Sequence, residues 1–245
     1  MKLTGNKILI TGGSSGIGLA LAKHFLSLKN KVIITGRSKE KLLQIKNEFP
    51  TVDFFCGDLS DRNTLDRLVL FVEQQHSDIN VLINNAAVQY NYDFMDEPEL
   101  TYKIDYEISV NLAAPIKLTA LLLPLLLKNS NSAIVNVSSG LFIAPKKSAS
   151  VYCATKSAIH SYSQTLRYQL ENTEIKVFEI IPALIDTPMT EGRGKSKLSP
   201  EKLVEEFMYN FRNDKYENYI GKTKLLKLIN RLFPKLAHRI MKNGI

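Results

Sequence analysis

Tyr152 and Lys156 are the residues whose types and spacing most directly indicate proton-transfer chemistry. They stand four positions apart in a stretch that predicts a long helix, so the phenol and the ammonium should share one helical face. A tyrosine ordinarily titrates near ~10, and a cation held beside it favours the phenolate. The pair therefore predicts a general acid/base whose pKa the ammonium lowers into the working range. Ser139, at the end of the preceding predicted strand, could hold a carbonyl oxygen close to the same phenol.

A glycine-rich turn near the N-terminus indicates a nucleotide-binding site. It reads Thr11-Gly12-Gly13-Ser14-Ser15-Gly16-Ile17-Gly18, after a buried-type strand over 7–10 and before a helix that runs to about residue 28. Glycine permits the tight turn and close backbone approach, and the helix N-terminus offers free N–H groups to a pyrophosphate. The alternative is a purely structural strand–helix turn, which this context disfavours.

The end of the second predicted strand, over 31–35, bears on the choice of cofactor. It continues into Gly36-Arg37-Ser38, with no carboxylate where the ribose 2′-OH of NAD would be bound. An arginine fork suits a 2′-phosphate in charge and in bidentate geometry. Arg37 therefore favours NADP(H) over NAD(H), the alternative being an exposed surface arginine.

Polar residues also follow the next two predicted strands. Asp58 follows the strand over 51–56 and could reach an adenine amino group or act as a capping residue. Ser60 is the predicted N-cap of the helix that runs to residue 75. Asn84 and Asn85 follow the strand over 81–83, where paired asparagines can tie strands together and line a cleft, or simply form a turn.

A long helix is predicted over 100–127, and it carries an asparagine on an otherwise apolar face. A mid-helix Asn111 is unfavourable by propensity and needs a hydrogen-bond partner if it is buried. Pro115 and Pro124 should bend or break this stretch.

The order of elements predicts one α/β domain. Strands alternate with helices along the chain, which implies a Rossmann-type, doubly wound parallel sheet of about seven strands with helices on both faces. Residues 1–220 form the predicted nucleotide-binding and catalytic domain, and 221–245 a basic amphipathic extension. The later strands are expected at 133–137, 176–181 and 216–220, the later helices at about 152–171 and 200–213. The loops over 88–99 and 190–199, with Phe142, Ile143 and Met189, suggest a pocket with apolar walls.

Composition excludes several classes of protein. The 245 residues are 44% hydrophobic and 23% charged, as in an ordinary soluble globular protein. No signal-peptide pattern opens the chain, and the longest apolar run, over 118–127, is too short to cross a bilayer. Cys56 and Cys153 give neither a metal spacing nor a disulfide framework. We therefore expect a cytoplasmic protein without a bound metal.

The net charge of +8 is concentrated at the C-terminal end. Seven of the 32 basic residues and none of the 24 acidic residues lie in 221–245, so the body is nearly neutral and nucleic-acid binding is not expected. Bases recur every four residues from Lys227 to Arg239 beside an apolar face, and Pro234 predicts two short helices or one kinked helix. Weak contact of 222–243 with an anionic membrane is one interpretation. Packing on its own subunit or on a symmetry mate is the more ordinary one.

Together these motifs resemble the short-chain dehydrogenase/reductase family over nearly the whole chain up to about residue 187. The set shares the family's order and spacing, and it comprises Thr11-Gly12-x-x-x-Gly16-x-Gly18, Asp58, Asn84-Asn85-Ala86, Asn111, Ser139, Tyr152-x-x-x-Lys156 and Pro182 to Thr187. The opening and the C-terminal third are also similar to a branch of bacterial oxidoreductases from Gram-positive cell-wall operons.

The resemblance implies an NADP(H)-dependent oxidoreductase that interconverts a small-molecule carbonyl and an alcohol, assembled as a homodimer or homotetramer. Tyr152 would exchange the proton, Lys156 would lower its pKa and bind the nicotinamide ribose, and Ser139 would polarise the substrate oxygen. Asn111 would hold a water in a proton relay to Lys156. The implied cofactor-binding residues are Gly12, Ser14, Ser15, Gly16, Ile17, Gly18, Arg37, Asp58, Leu59, Asn85, Ala86, Tyr152, Lys156, Pro182, Ile185 and Thr187.

Two positions depart from the family pattern. Ala87 and Ala183 stand where glycine is usual, and a methyl group at either site could crowd the cofactor or stiffen its loop. The alternative function is a non-catalytic NADP-binding sensor or interaction module on the same fold. Such a module would have little reason to keep the complete set of Asn111, Ser139, Tyr152 and Lys156.

Overall fold

A seven-stranded, entirely parallel sheet forms the centre of the protein, in the order β3-β2-β1-β4-β5-β6-β7. The computed structural model describes residues 1–194 and 196–244. The strands are β1 (Lys7–Ile10), β2 (Lys31–Gly36), β3 (Asp53–Cys56), β4 (Val81–Asn84), β5 (Ser132–Val137), β6 (Ile175–Pro182) and β7 (Glu217–Ile220). The strand order reverses between β1 and β4, and a crevice opens there at the carboxyl ends of the strands. The predicted fold class is confirmed.

Helices cover both faces of the sheet. They are α1 (Gly16–Ser27), α2 (Lys39–Glu48), α3 (Arg62–Gln75), α4 (Leu100–Ile108), α5 (Ala114–Leu126), α6 (Ser150–Gln169), α7 (Pro200–Arg212), α8 (Thr223–Leu232) and α9 (Pro234–Met241). Side chains alternate across each strand, so Ile8 and Ile10 pack with α1 and α7, while Leu9 packs with α3, α5 and α6. Two apolar layers thus hold the strand ends in place.

The stretch from Leu100 to Leu126 is helical throughout, with a π-helical turn at Ser109–Ala113. The interruption expected at Pro115 takes the form of this turn, because proline has no N–H to donate to the carbonyl four residues earlier. Pro124 does not break α5, which ends two residues later. By length and composition alone this helix could span a membrane, with a mean hydropathy of 1.6, unlike the shorter run over 118–127. In the fold, Leu118, Leu122 and Leu126 pack in the core beneath the sheet.

The C-terminal segment forms the predicted pair of short helices, separated at Phe233 before Pro234. Leu226, Ala237 and Met241 on their inner faces pack against Ala144, together with Leu141 and Ile143. This pair, α8 and α9, is called the C-terminal hairpin below.

One predicted helix cap is wrong. The N-cap of α3 is Asp61, whose carboxylate accepts hydrogen bonds from the N–H groups of Asn63 at 3.2 Å and Thr64 at 3.0 Å. Ser60 instead donates its N–H to the carboxylate of Asp58 at 2.9 Å. The carboxylate takes the cap because it accepts two bonds from the first turn.

Candidate active site

A cleft lies at the carboxyl ends of β1, β2, β4 and β5. All the predicted cofactor residues line it except Gly18 and Ile185. A Cβ on Gly18 would stand 2.3 Å from the carbonyl oxygen of Gly12, so this glycine allows α1 to pack on the turn. Ile185 is buried in the core and bridges to Leu198, so its side chain does not face the cleft.

The glycine turn forms a cradle for a ligand, and it has room because Gly12 and Gly16 carry no side chain. Gly12 and Gly16 have positive φ values of 65° and 54°. A Cβ on Gly16 would stand 2.9 Å from Cγ2 of Thr187 across the cleft. Ser15, the N-cap of α1, makes no side-chain capping bond, and it lines the cleft at the positive end of the helix dipole. These features fit the pyrophosphate of a dinucleotide.

The paired asparagines hold neighbouring strand ends together. Asn85 donates from Nδ2 to the carbonyls of Thr11 at 2.9 Å and Gly12 at 3.1 Å. Asn84 donates to Oδ1 of Asn136 on β5 at 2.9 Å. The Asn85 amide nitrogen, in a residue expected to bind the cofactor, is therefore engaged in fixing the glycine turn.

A tyrosine that the sequence motifs missed joins the two residues expected at the adenosine end. Tyr106 on α4 donates its hydroxyl to Asp58 at 2.6 Å and accepts a hydrogen bond from Nη1 of Arg37, also at 2.6 Å. Burial and the bond to Asp58 raise the pKa of Tyr106 to about 12. Burial would raise the pKa of Asp58, but hydrogen bonds from Tyr106 and Ser60 lower it below its usual value. Tyr106 lies one helical turn before Val110, and both line the cleft.

Tyr152 and Lys156 lie together on α6, as their spacing predicts, and both are buried. The Lys156 ammonium is 5.5 Å from the centre of the Tyr152 ring. It donates to the carbonyl oxygen of Val137 at 2.8 Å, its one acceptor among the residues that the structure describes. An ammonium has three donors, so the remaining two are available to the hydroxyls of a ribose.

The pKa of Tyr152 departs from the prediction. Burial raises it to about 12, and contact with the hydroxyl of Ser139 lowers it only in part. Burial likewise lowers the pKa of Lys156 to about 8, partly opposed by the carboxylate of Glu179. The sequence predicts that Lys156 depresses the phenol pKa; in this structure burial is the largest influence on that pKa, and it acts upward.

Ser139 caps a short 3₁₀ turn at Gly140–Phe142, where its Oγ accepts a hydrogen bond from the N–H of Leu141 at 3.2 Å. That bond uses Oγ as an acceptor, so the hydroxyl proton is free to be donated. The turn places the hydroxyl beside the Tyr152 phenol. Both groups can therefore contact one substrate oxygen.

Asn111 is buried in the π-helical turn, and its side chain is engaged by the backbone. Oδ1 accepts from the N–H of Val88 and Nδ2 donates to the carbonyl of Val88, both at 2.8 Å. The amide also approaches the hydroxyl of Thr155 at 3.4 Å. Asn111 thus fixes the start of the 88–99 loop. Its main-chain carbonyl receives no α-helical bond from Pro115, which has no N–H.

The two alanines that replace the usual glycines fit without strain. Neither Ala87 nor Ala183 has a positive φ, and Ala87 lines the cleft. Within the described residues, no group of His, Cys, Asp and Glu is arranged to hold a metal ion.

Comparison with known proteins supports the family resemblance that the motifs indicate. The family model described as short chain dehydrogenase matches residues 6–198. The uncharacterized oxidoreductase DltE of Bacillus subtilis (strain 168) is 41% identical over 223 residues, covering 89% of this chain and 88% of DltE.

Two solved structures share the fold. A short chain dehydrogenase from Burkholderia cenocepacia J2315 in complex with NADP matches with a TM-score of 0.85, at 23% identity and over 98% of both chains. A short chain dehydrogenase/reductase from Burkholderia phymatum in complex with NAD matches with a TM-score of 0.87, at 18% identity, over 100% of this chain and 99% of that one.

Proposed function

This chain belongs to the short chain dehydrogenase family, in the DltE-like branch of oxidoreductases, and from that premise we propose that it interconverts a carbonyl and an alcohol with NADP(H). The family resemblance drawn from the motifs is confirmed, and the chain is a short-chain dehydrogenase/reductase enzyme. The single observation that carries the proposed reaction is the buried Tyr152, placed between the Ser139 hydroxyl and the Lys156 ammonium beside the glycine cradle.

Tyr152 is the proposed proton donor. With a pKa of about 12 its phenol remains protonated at neutral pH, which suits donation to a carbonyl oxygen. Ser139 holds that oxygen beside the phenol. NADPH held in the cleft would supply the hydride that the carbonyl carbon accepts. Lys156 presents its free donors to the ribose and stabilises the phenolate left after proton transfer.

The proton on Tyr152 is restored through Lys156 and the main chain of Asn111. The Asn111 side chain is occupied by Val88, so the relay water predicted at this residue would be held by the backbone carbonyl. Pro115 has no N–H, so that carbonyl lacks the donor that an α-helix would give it. In this proposal the Asn111 side chain positions the start of the 88–99 loop, and its main-chain carbonyl holds the relay water.

The preference for NADP(H) rests on Arg37. Its guanidinium is exposed at the mouth of the cleft, where it is hydrogen-bonded to Tyr106. Position 36 is a glycine and not an acidic residue. The cationic fork suits a 2′-phosphate. Asp58 is bound to Tyr106 and its charge is partly neutralised by the same arginine.

The substrate is a small carbonyl compound or alcohol that contacts an apolar wall. Met189 lines the cleft, and Phe94 and Met95 of the 88–99 loop are exposed. A homodimer or homotetramer is also proposed, because Leu121 on α5 and Tyr168 on α6 leave apolar surface exposed on adjacent helices. Light scattering of the purified protein tests the subunit count.

The decisive experiment follows NADPH absorbance over a panel of aldehydes and ketones. We expect turnover by the wild type and a loss of about 10²–10⁴-fold in kcat for Tyr152→Phe, the usual contribution of a general acid. Tyr209→Phe is the matched control, since this tyrosine on α7 is exposed and does not line the cleft. NADPH binding by all three proteins shows that the cradle is intact.

Two outcomes would contradict the proposal. Turnover that is indifferent to Tyr152→Phe removes the proton donor. Tight NADPH binding with no turnover on a broad panel favours the sensor alternative.

A further inference from the structure

We propose that the C-terminal hairpin docks this protein onto an anionic membrane surface. The hairpin has two faces with different roles. Its inner face packs on residues 141–144, as described above, and this contact accounts for Leu226, Ala237 and Met241. Its outer face carries large apolar side chains that are exposed.

The outer face is a continuous apolar stripe. Leu225, Leu228 and Leu232 recur along α8 at helical spacing, and Leu236 and Ile240 do so along α9. Phe233 joins the two helices and is 61% exposed, and Leu232 beside it is 59% exposed. So many large apolar side chains clustered on a small element indicate a surface that meets an apolar phase.

Basic residues border this stripe. On α8 they are Lys224, Lys227 and Arg231, of which Lys224 pairs with Glu206 and Lys227 lies 3.7 Å from Glu217. On α9 the bases face an open cleft between that helix and the start of α6. The basic residues that line this cleft are Lys146, Lys147, Lys235, His238, Arg239 and Lys242.

The charge of this cleft selects the partner. None of the described residues that line it is acidic, and the one ion pair it contains joins Lys147 to Asp93 at 3.8 Å. The N–H of Lys147 donates to the carbonyl of Lys242 at 2.9 Å, which holds the two basic segments together. An apolar stripe bordered by fixed cations matches the acyl region and the phosphates of an anionic bilayer.

Packing on its own subunit, the ordinary interpretation of the sequence, explains only the inner face. In a two-fold contact, a second copy of the chain would offer the outer face another basic hairpin, and the like charges would repel. An anionic lipid surface satisfies both the apolar and the charged parts.

Vesicle co-sedimentation of the full-length protein tests this. We expect binding to phosphatidylglycerol–phosphatidylcholine vesicles, little binding to pure phosphatidylcholine, and release at high salt. The charge variant Lys235→Glu/Arg239→Glu should lower the partition coefficient at least about tenfold, since each basic residue near the surface contributes about 1 kcal/mol. Lys39→Glu/Lys41→Glu on α2 changes the net charge equally at exposed positions and should bind like the wild type.

The apolar stripe is tested separately with Leu232→Ser/Phe233→Ser. Both side chains are exposed, so the variant should keep the wild-type melting temperature and NADPH affinity while vesicle binding falls. The proposal is overturned if the wild type shows no preference for anionic vesicles, or if the hairpin and α2 variants bind equally. It is also overturned if the wild type does not bind vesicles and forms an oligomer that the substitutions Leu232→Ser/Phe233→Ser dissociate. Turnover in solution is a separate measurement, so failure here leaves the proposed reaction untouched.

Discussion

The ammonium of Lys156 lies 5.5 Å from the centre of the Tyr152 ring, and burial acts on the two groups in opposite directions. It raises the pKa of Tyr152 to about 12 and lowers that of Lys156 to about 8. Both shifts favour the neutral form, as desolvation requires. Near neutral pH the tyrosine is therefore protonated, and the lysine is the group closer to its titration point.

NADPH affinity should accordingly fall on the alkaline side. As pH rises through about 8, Lys156 loses its charge, and an anionic cofactor loses a cation in the cleft. We expect the Kd for NADPH to rise about tenfold between pH 7 and pH 9. Fluorescence titration measures it. Lys156→Arg keeps its charge over this range and should give a flat profile; a wild-type rise that persists in this variant would assign the titration to another group.

Tyr106→Phe tests the bridge between Arg37 and Asp58. The hydroxyl makes 2.6 Å hydrogen bonds to both residues. Without it, the guanidinium that is proposed to bind the 2′-phosphate is no longer held in position. A hydrogen bond to a charged group contributes about 1.5–3 kcal/mol, so we expect the Kd for NADPH to rise at least about tenfold, with that for NADH little changed.

Tyr102→Phe is the matched control for Tyr106. Tyr102 stacks on Tyr106 with ring centres 6.0 Å apart and is exposed, so removing its hydroxyl leaves the bridge in place. Arg37→Gln should lower NADPH affinity further than Tyr106→Phe does. Equal losses for NADPH and NADH would mean that these residues support the cleft without reading the phosphate.

Stability should fall as pH rises past neutrality because of His160. Its Nδ1 lies 2.9 Å from the buried carboxylate of Glu179, and this bond raises the pKa of His160 although burial opposes it. A raised folded-state pKa gives stabilisation that is complete below about 6.5 and is lost as pH passes the folded value. Arg167 and Glu217 also act on this histidine, in opposite senses.

Urea unfolding between pH 5.5 and pH 8 measures this effect. His160→Gln should make the slope of unfolding free energy against pH less negative than in the wild type, while His238→Gln, at an exposed position on α9, should keep the wild-type slope. The buried His76, whose pKa desolvation lowers, contributes a slope of the opposite sign that both variants retain. His160→Gln also loses stacking on Phe142, whose ring centre is 4.0 Å away, but that loss does not depend on pH. A slope in His160→Gln equal to that of the wild type would mean that this histidine is not the source of the fall in stability.

The parts of the site that could be predicted from the sequence are those that depend on residues close together in the chain. The glycine turn, the Tyr152–Lys156 spacing and the alternation of strands and helices each depend on neighbours within one or two elements. The bridging role of Tyr106 is not local, because its partners Arg37 and Asp58 come from the ends of two other strands. The sequence signal that could have indicated this role is the position of Tyr106, one helical turn before Val110 on a helix that lines the cleft.

The direction of the Tyr152 pKa could not be predicted for a related reason. Helical spacing places an ammonium near the phenol, but it does not report how much water the surrounding loops exclude. Tyr152 packs with Ala149 and Cys153 of its own helical segment and with Leu141, which comes from the turn after β5. The desolvation that this packing causes is the largest influence on the pKa of Tyr152.

Gly18→Ala tests whether the cradle is a rigid unit. The added methyl would stand 2.3 Å from the carbonyl oxygen of Gly12 and 2.5 Å from Nδ2 of Asn85, and neither atom can move without breaking the bonds that hold the turn. Overpacking of this kind costs about 1–3 kcal/mol. We expect a lower melting temperature together with weaker NADPH binding, while Lys23→Ala, exposed on the same helix, should change neither. A Gly18→Ala protein that melts and binds like the wild type would show that α1 can shift on the strand ends, and the cradle geometry would then follow from the ligand and not from the packing.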